Sequence, residues 1–119
     1  MTKASEFHKQ GFTCGEAMIK AYNEEHNTTI PVGIGSSMGA GFTVASLCGA
    51  VGAAAVIIGH FKGRESEKEA NEARSYSKEL MMEIRNKYGT EVCKDLKKSG
   101  VSCSEIIDFT YDALNRILK

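Results

Sequence analysis

Four cysteines, Cys14, Cys48, Cys93 and Cys103, are the residues of this 119-residue chain best suited to chemistry. A thiolate is a nucleophile, a donor to soft metals and one half of a disulfide. No two of the four form a C-x-x-C pair, so neither a thioredoxin-type dithiol nor a zinc knuckle is written locally. Any shared site must be made by the fold. Each cysteine follows a Ser or Thr at short range: Cys14 after Thr13, Cys48 after Ser46, Cys93 after Thr90 and Cys103 after Ser102. Ser and Thr are strong N-cap residues, so the pattern predicts Cys14 and Cys103 at N1, Cys48 at N2 and Cys93 at N3 of four helices. Unsatisfied amides and the positive end of the helix dipole favour an anion there and shift a thiol towards thiolate. By that reasoning Cys14 and Cys103 are the most reactive thiols. The plainer alternative is that free cysteine fills core space. Four at helix starts, with none in a helix interior, favour chemistry.

The elements that must position them read as helices throughout. Thr13-Cys14-Gly15-Glu16 and Ser102-Cys103-Ser104-Glu105 both fit the capping box, in which hydroxyl and carboxylate satisfy orphan amides reciprocally. Residues 3–10 form a short polar helix that stops at Gly11. A second runs from Thr13 to Glu24 or Glu25, with Ala17, Met18, Ala21 and Tyr22 on one face. Residues 26–45, glycine-rich and uncharged after His26, predict a long loop. The third helix, 46–59, is apolar nearly all round and belongs in the centre of the core. The fourth, 65–88, carries an inner stripe of Ala73, Ser77, Leu80, Ile84 and Tyr88, and ends at Gly89. Thr90 caps a fifth through Leu96, and the sixth opens at Ser102 with Ile106, Ile107, Thr110, Leu114 and Ile117 facing inward. The expected fold is all-α: a compact bundle of five to six helices with a long Gly-rich loop, as one domain over residues 1–119. A twelve-residue helix is about 18 Å long, so the 26–45 loop is ample to return the chain along it. Cys14, Cys48 and Cys93 then begin helices that leave from the same end, and Cys103 follows one short helix later. At least two sulfurs, and up to all four, are expected to meet there.

Composition narrows the function classes. Fifteen basic and fifteen acidic residues cancel, which leaves no electrostatic footprint for nucleic acid. The stretch Met1-Thr2-Lys3-Ala4-Ser5-Glu6 holds no apolar h-region, so a cytoplasmic location is expected. In a reducing compartment cysteines are metal-binding or catalytic rather than permanently bridged. Residues 42–61 have the length of a membrane span, but Gly, Ala, Ser and Thr dominate them and no span is expected. Gly49, Gly52, Ala53 and Ala54 suit close helix–helix contact instead, within the chain or across a homodimer. Gly33-Ile34-Gly35 and Gly39-Ala40-Gly41 lack the strand and Lys-Ser/Thr of a phosphate cradle. They read as a loop that lets backbones pass close to the cysteines. His8 and His26 read as solvated helix-end residues. His60 reads as a surface or capping residue, because it ends the helix that Cys48 begins.

Together, Cys14, the Cys48-Gly49-Ala50 run behind a glycine-rich loop, Cys93 after an aromatic-Gly-Thr turn, and Cys103 resemble the C-GCAxxG-C-C family of redox-active proteins. The similarity covers about residues 10–118. Read as Cys-Gly-Ala-x-x-Gly, the motif falls on Cys48-Gly49-Ala50-Val51-Gly52-Ala53, with alanine at its last place. The resemblance implies that the four cysteines are the functional residues. Two functions follow. In the first, a thiol-based oxidoreductase cycles Cys14, Cys48, Cys93 and Cys103 between thiol and disulfide, or passes electrons, with a redox partner protein. In the second, a non-catalytic module ligates zinc or an iron–sulfur cluster through the same cysteines, since soft sulfur selects both.

Overall fold

The computed structural model describes residues 3–119; Met1 and Thr2, the start of the amino-terminal stretch read above, lie outside it. The described residues form six α-helices, α1 Ala4–Lys9, α2 Cys14–His26, α3 Gly49–Lys62, α4 Ala73–Tyr88, α5 Cys93–Lys98 and α6 Cys103–Leu118. They contain no strand, only an isolated antiparallel bridge between Leu47 and Val92. The fold is all-α.

α3 sits at the centre because its sequence leaves it no other place. Ala50, Val51, Ala53, Ala54, Ile57 and Ile58 are fully buried, and a helix apolar on every face must be surrounded. α2, α6 and α4 pack around it, and Met18, Ile19, Ile107, Leu114, Leu80 and Ile84 join it in one buried core. Gly49, Gly52, Ala53 and Ala54 are buried within the chain, so the small-residue stripe serves internal packing. No helix among the described residues is long and apolar enough to cross a membrane. α1 lies across α2 and α6 with Ala4 and Phe7 buried. Its first turn is tied down where Ser5 N and Oγ donate to the Asp108 carboxylate at 3.1 and 2.7 Å.

Two helix starts differ most from the sequence reading. α3 begins at Gly49 rather than Ser46, and α4 begins at Ala73 rather than residue 65. Residues 65–72 have a helix-forming composition, but Glu65, Glu67, Lys68 and Glu69 are all exposed and offer no face to bury. A short helix without a packed face is marginal in water. The Arg64 guanidinium donates to the Glu67 and Glu69 carbonyls instead, at 3.3 and 2.9 Å.

The 26–45 segment is far from a slack loop. Asn27, left-handed at φ +57°, closes α2, and the Asn23 amide brackets Ile30 from both sides at 2.9 and 3.0 Å. Val32–Met38 then winds as a 3-10 helix against α2. Gly35 sets how close it comes: a Cβ there would stand 2.4 Å from the Gly15 carbonyl carbon. Two glycine backbones are in contact.

Candidate functional site

The four cysteines sit at four helix starts, built in three different ways. At α2 the Thr13 Oγ1 accepts from the Glu16 amide at 3.1 Å, and the Glu16 carboxylate accepts from the Thr13 amide at 2.8 Å. This capping box is complete and sets Cys14 at N1. At α6 only half the box forms. Ser102 Oγ accepts from the Glu105 amide at 3.1 Å, but the Glu105 carboxylate takes the Tyr88 hydroxyl at 3.0 Å. Cys103 is nonetheless at N1. Cys48 and Cys93 depart from the expected N2 and N3 positions: Cys48 is itself the N-cap of α3, and Cys93 is N1 of α5 after Val92. A non-local clamp is the cause. The Cys48 amide donates to Glu91 O at 2.9 Å and the Cys93 amide to Ser46 O at 2.6 Å, on either side of the Leu47–Val92 bridge. Thr90 Oγ1 accepts from the Val92 amide at 3.0 Å, so it braces the approach to α5 rather than its first turn.

These starts converge. All four cysteines are free thiols, and all four line one cavity of about 20 Å³ together with Gly41, Gly49 and Leu96. That volume holds a single water-sized or ion-sized guest. The sulfurs are soft enough for zinc or an iron–sulfur cluster, but the compact group of donor atoms takes in only Cys14 and Cys103 of the four, and a cluster fits only if the walls move apart. Cys14, Cys48 and Cys93 are 7%, 4% and 9% exposed, while Cys103 is half-buried at the mouth. The Cys14 and Cys103 sulfurs lie within 4.8 Å of each other, while Cys48 interacts with Cys14, Cys93 and Cys103 alike.

Burial overturns the expectation of a reactive Cys14. Desolvation, with the Cys103 and Cys48 sulfurs adding to it, pushes its thiol up to about 12, although the Ala40 amide acts the other way. Burial raises Cys48 as well, opposed by the Val51 and Ala50 amides, which face its sulfur without completing a cap bond. The helix dipole is present at each, but magnitudes decide. A helix terminus is worth about 2 kcal/mol at most, or about 1.5 pKa units, against up to about 3–5 units from full burial.

A strained turn forms the cavity wall. Ala40, Gly41, Phe42 and Thr43 have φ of +52°, +64°, +58° and +64°, and Ala45 follows at +58°. Left-handed backbone is rare outside glycine, above all at a β-branched residue such as Thr43, and costs on the order of 1–3 kcal/mol each time. The Ser46 amide closes the turn on Gly41 O at 2.7 Å. Gly41 is required twice over, because a Cβ there would also stand 2.5 Å from that of Cys93. The reading of a glycine loop that lets backbones approach the cysteines holds at this residue.

His8 is the residue that sequence reading missed. Far from solvated, it is half-buried, and its imidazole nitrogen and the Cys14 and Cys103 sulfurs all lie within 4.8 Å of one another. Nδ1 is 2.9 Å from the Phe12 carbonyl and donates to it, so a neutral ring would present Nε2 as its acceptor. Gly11, at φ +116°, reverses the chain between α1 and α2 and so folds His8 back over Cys14. The available signal was a histidine separated from a cysteine by one glycine turn. His26 and His60 are exposed, as read.

The sequence profile of the family described as "Putative redox-active protein (C_GCAxxG_C_C)" matches residues 12–117. Neither curated proteins nor solved structures give a match. Gly52 is buried on α3, and a Cβ there would stand 2.8 Å from the Phe42 ring. At Gly49, beside Cys48, a Cβ would meet the Met38 carbonyl oxygen at 2.1 Å. His8 precedes the matched residues. With the match spanning nearly the whole chain and all four cysteines, the protein belongs to the C_GCAxxG_C_C family of redox-active proteins.

Proposed function

We propose that the protein is a thiol–disulfide oxidoreductase of the cytoplasm whose working dithiol is Cys103 and Cys14, with Cys48 and Cys93 lining the same cavity. One observation carries this reading: the Cys14 and Cys103 sulfurs lie within 4.8 Å at the mouth of the cavity, one half-buried and one buried. A side-chain rotation closes that gap to the roughly 2.05 Å of a disulfide. Cys103 is the accessible thiol, and its thiolate attacks one sulfur of a partner protein's disulfide. That bond breaks, a mixed disulfide forms, and the first partner thiolate leaves. Cys14 then attacks Cys103 Sγ, its proton passes to the second departing partner thiolate, and the Cys14–Cys103 disulfide remains. Two electrons have moved from this chain to the partner, together with the Cys14 proton and the one Cys103 released on forming its thiolate, which the first departing thiolate takes up. A buried resolving thiol with a raised pKa is slow to engage until the mixed disulfide sits beside it, which protects the reduced dithiol between turnovers. The alternative of one metal held by all four cysteines is less well supported, since the compact donor group contains two of them.

Glutathione disulfide is a sufficient probe. Reduced, metal-free protein should lose two hydrogens and release two molecules of glutathione per chain, while Cys14→Ser should stop at a stable mixed disulfide on Cys103. A wild-type protein that keeps its glutathione adduct, or does not react, contradicts the assignment.

A further inference from the structure

We propose that His8, Cys14 and Cys103 form a three-donor site for a soft divalent cation of the zinc type. The inference goes beyond the dithiol reading but shares its sulfurs, so it concerns the reduced state.

The donor chemistry is specific. Two thiolates and one neutral imidazole balance the charge of a divalent cation, and this mixed sulfur–nitrogen set suits zinc. Tetrahedral coordination with about 2.3 Å metal–sulfur bonds requires sulfurs roughly 3.8 Å apart. The three donor atoms already lie within 4.8 Å, so small side-chain rotations suffice. The histidine is prepared for ligation. Its Nδ1–H is held on the Phe12 carbonyl at 2.9 Å, the backing that fixes ring and tautomer in metal-bound histidines and leaves Nε2 to coordinate.

The scaffold is firm on all three sides. Cys14 and Cys103 ride on the capped first turns of α2 and α6. His8 rides on α1, which Ser5 pins to Asp108 of α6. With three protein donors, the fourth place is left to water, the arrangement of zinc sites that keep an open position. An open groove lined by Gly11, Ser36 and Lys97 leads to it from solvent. Binding displaces two thiol protons, and oxidation to the Cys14–Cys103 disulfide removes both thiolate donors, so the cation is held by the reduced protein and released by the oxidised one.

The test is a titration of reduced, metal-free protein with Co²⁺ under anaerobic conditions. The wild type should saturate at one equivalent, with the visible bands of four-coordinate cobalt and near-ultraviolet thiolate charge transfer. His8→Ala should weaken binding by at least the 10–100-fold typical of disturbed metal surroundings, whereas His60→Ala, an exposed histidine outside the donor group, should leave it unchanged. Zn²⁺ should shift the His8 Nε2 resonance in the unmutated, nitrogen-15-labelled protein, a readout that survives if the variant misfolds. A wild type that binds no cobalt, or an unshifted Nε2 with His8→Ala binding at full affinity, overturns the site. Neither result bears on the glutathione reaction, which is read without metal.

Discussion

Residues 31–48 and 63–72 both connect helices to α3, and they are opposite solutions to the same task. The first carries no charge, turns through left-handed backbone and packs against α2 and Cys93. The second is dense in Glu, Lys and Arg and lies open to solvent. One lines the cysteine cavity and the other touches no part of it. The difference teaches that backbone strain in this molecule is concentrated where it serves the site: the Ala40–Thr43 turn brings an amide to Cys14 and a glycine against Cys93.

The largest effect should come from forcing these surfaces apart. Gly35→Ala sets a methyl 2.4 Å from the Gly15 backbone, which cannot yield as a side chain would. It should destabilise by about 1–3 kcal/mol or more, read as a lower denaturant midpoint. A change below 0.5 kcal/mol would mean the segment is looser than described.

Next comes the pH dependence of the buried thiol. Cys14 keeps its proton in the folded chain up to about pH 12 but loses it near its ordinary 9.0 when unfolded. Its contribution is thus fully present below about pH 9 and is lost as the pH rises towards 12. Metal-free wild type should lose thermal stability across that window more steeply than Cys14→Ser. Parallel curves would place Cys14 in a wetter site.

Smaller still are the caps. Ser102→Ala removes an N-cap acceptor and should cost about 0.5–2 kcal/mol, while Thr90→Ala, which braces a turn outside α5, should cost less. The reverse order would restore Thr90 as a cap. Smallest of all, Glu67→Ala in the open segment should stay within about 0.5 kcal/mol by the same denaturation assay. A larger loss would reveal packing there.

What was legible in the sequence is what is local. Thr13 and Ser102 announce their helix starts because a cap acts within three residues, and the apolar run of α3 announces its burial. The position of Cys48 was not legible, because it depends on backbone bonds to Glu91 and Cys93 that no nearby residue encodes. The raised pKa of Cys14 escaped for the same reason, since burial is made by the whole fold while the dipole argument sees one helix. His8 was missed because its role depends on the Gly11 reversal and on where α6 begins. Residues 65–72 misled through good helix composition with no face to bury.

The central claim is that Cys14 and Cys103 are the working dithiol. Oxidising the reduced, metal-free protein in small steps, alkylating the remaining thiols and mapping the peptides by mass spectrometry tests it directly. The account predicts that the first disulfide joins Cys14 to Cys103 while Cys48 and Cys93 still alkylate after unfolding. A first disulfide between Cys48 and Cys93, with Cys14 and Cys103 still free, would contradict it.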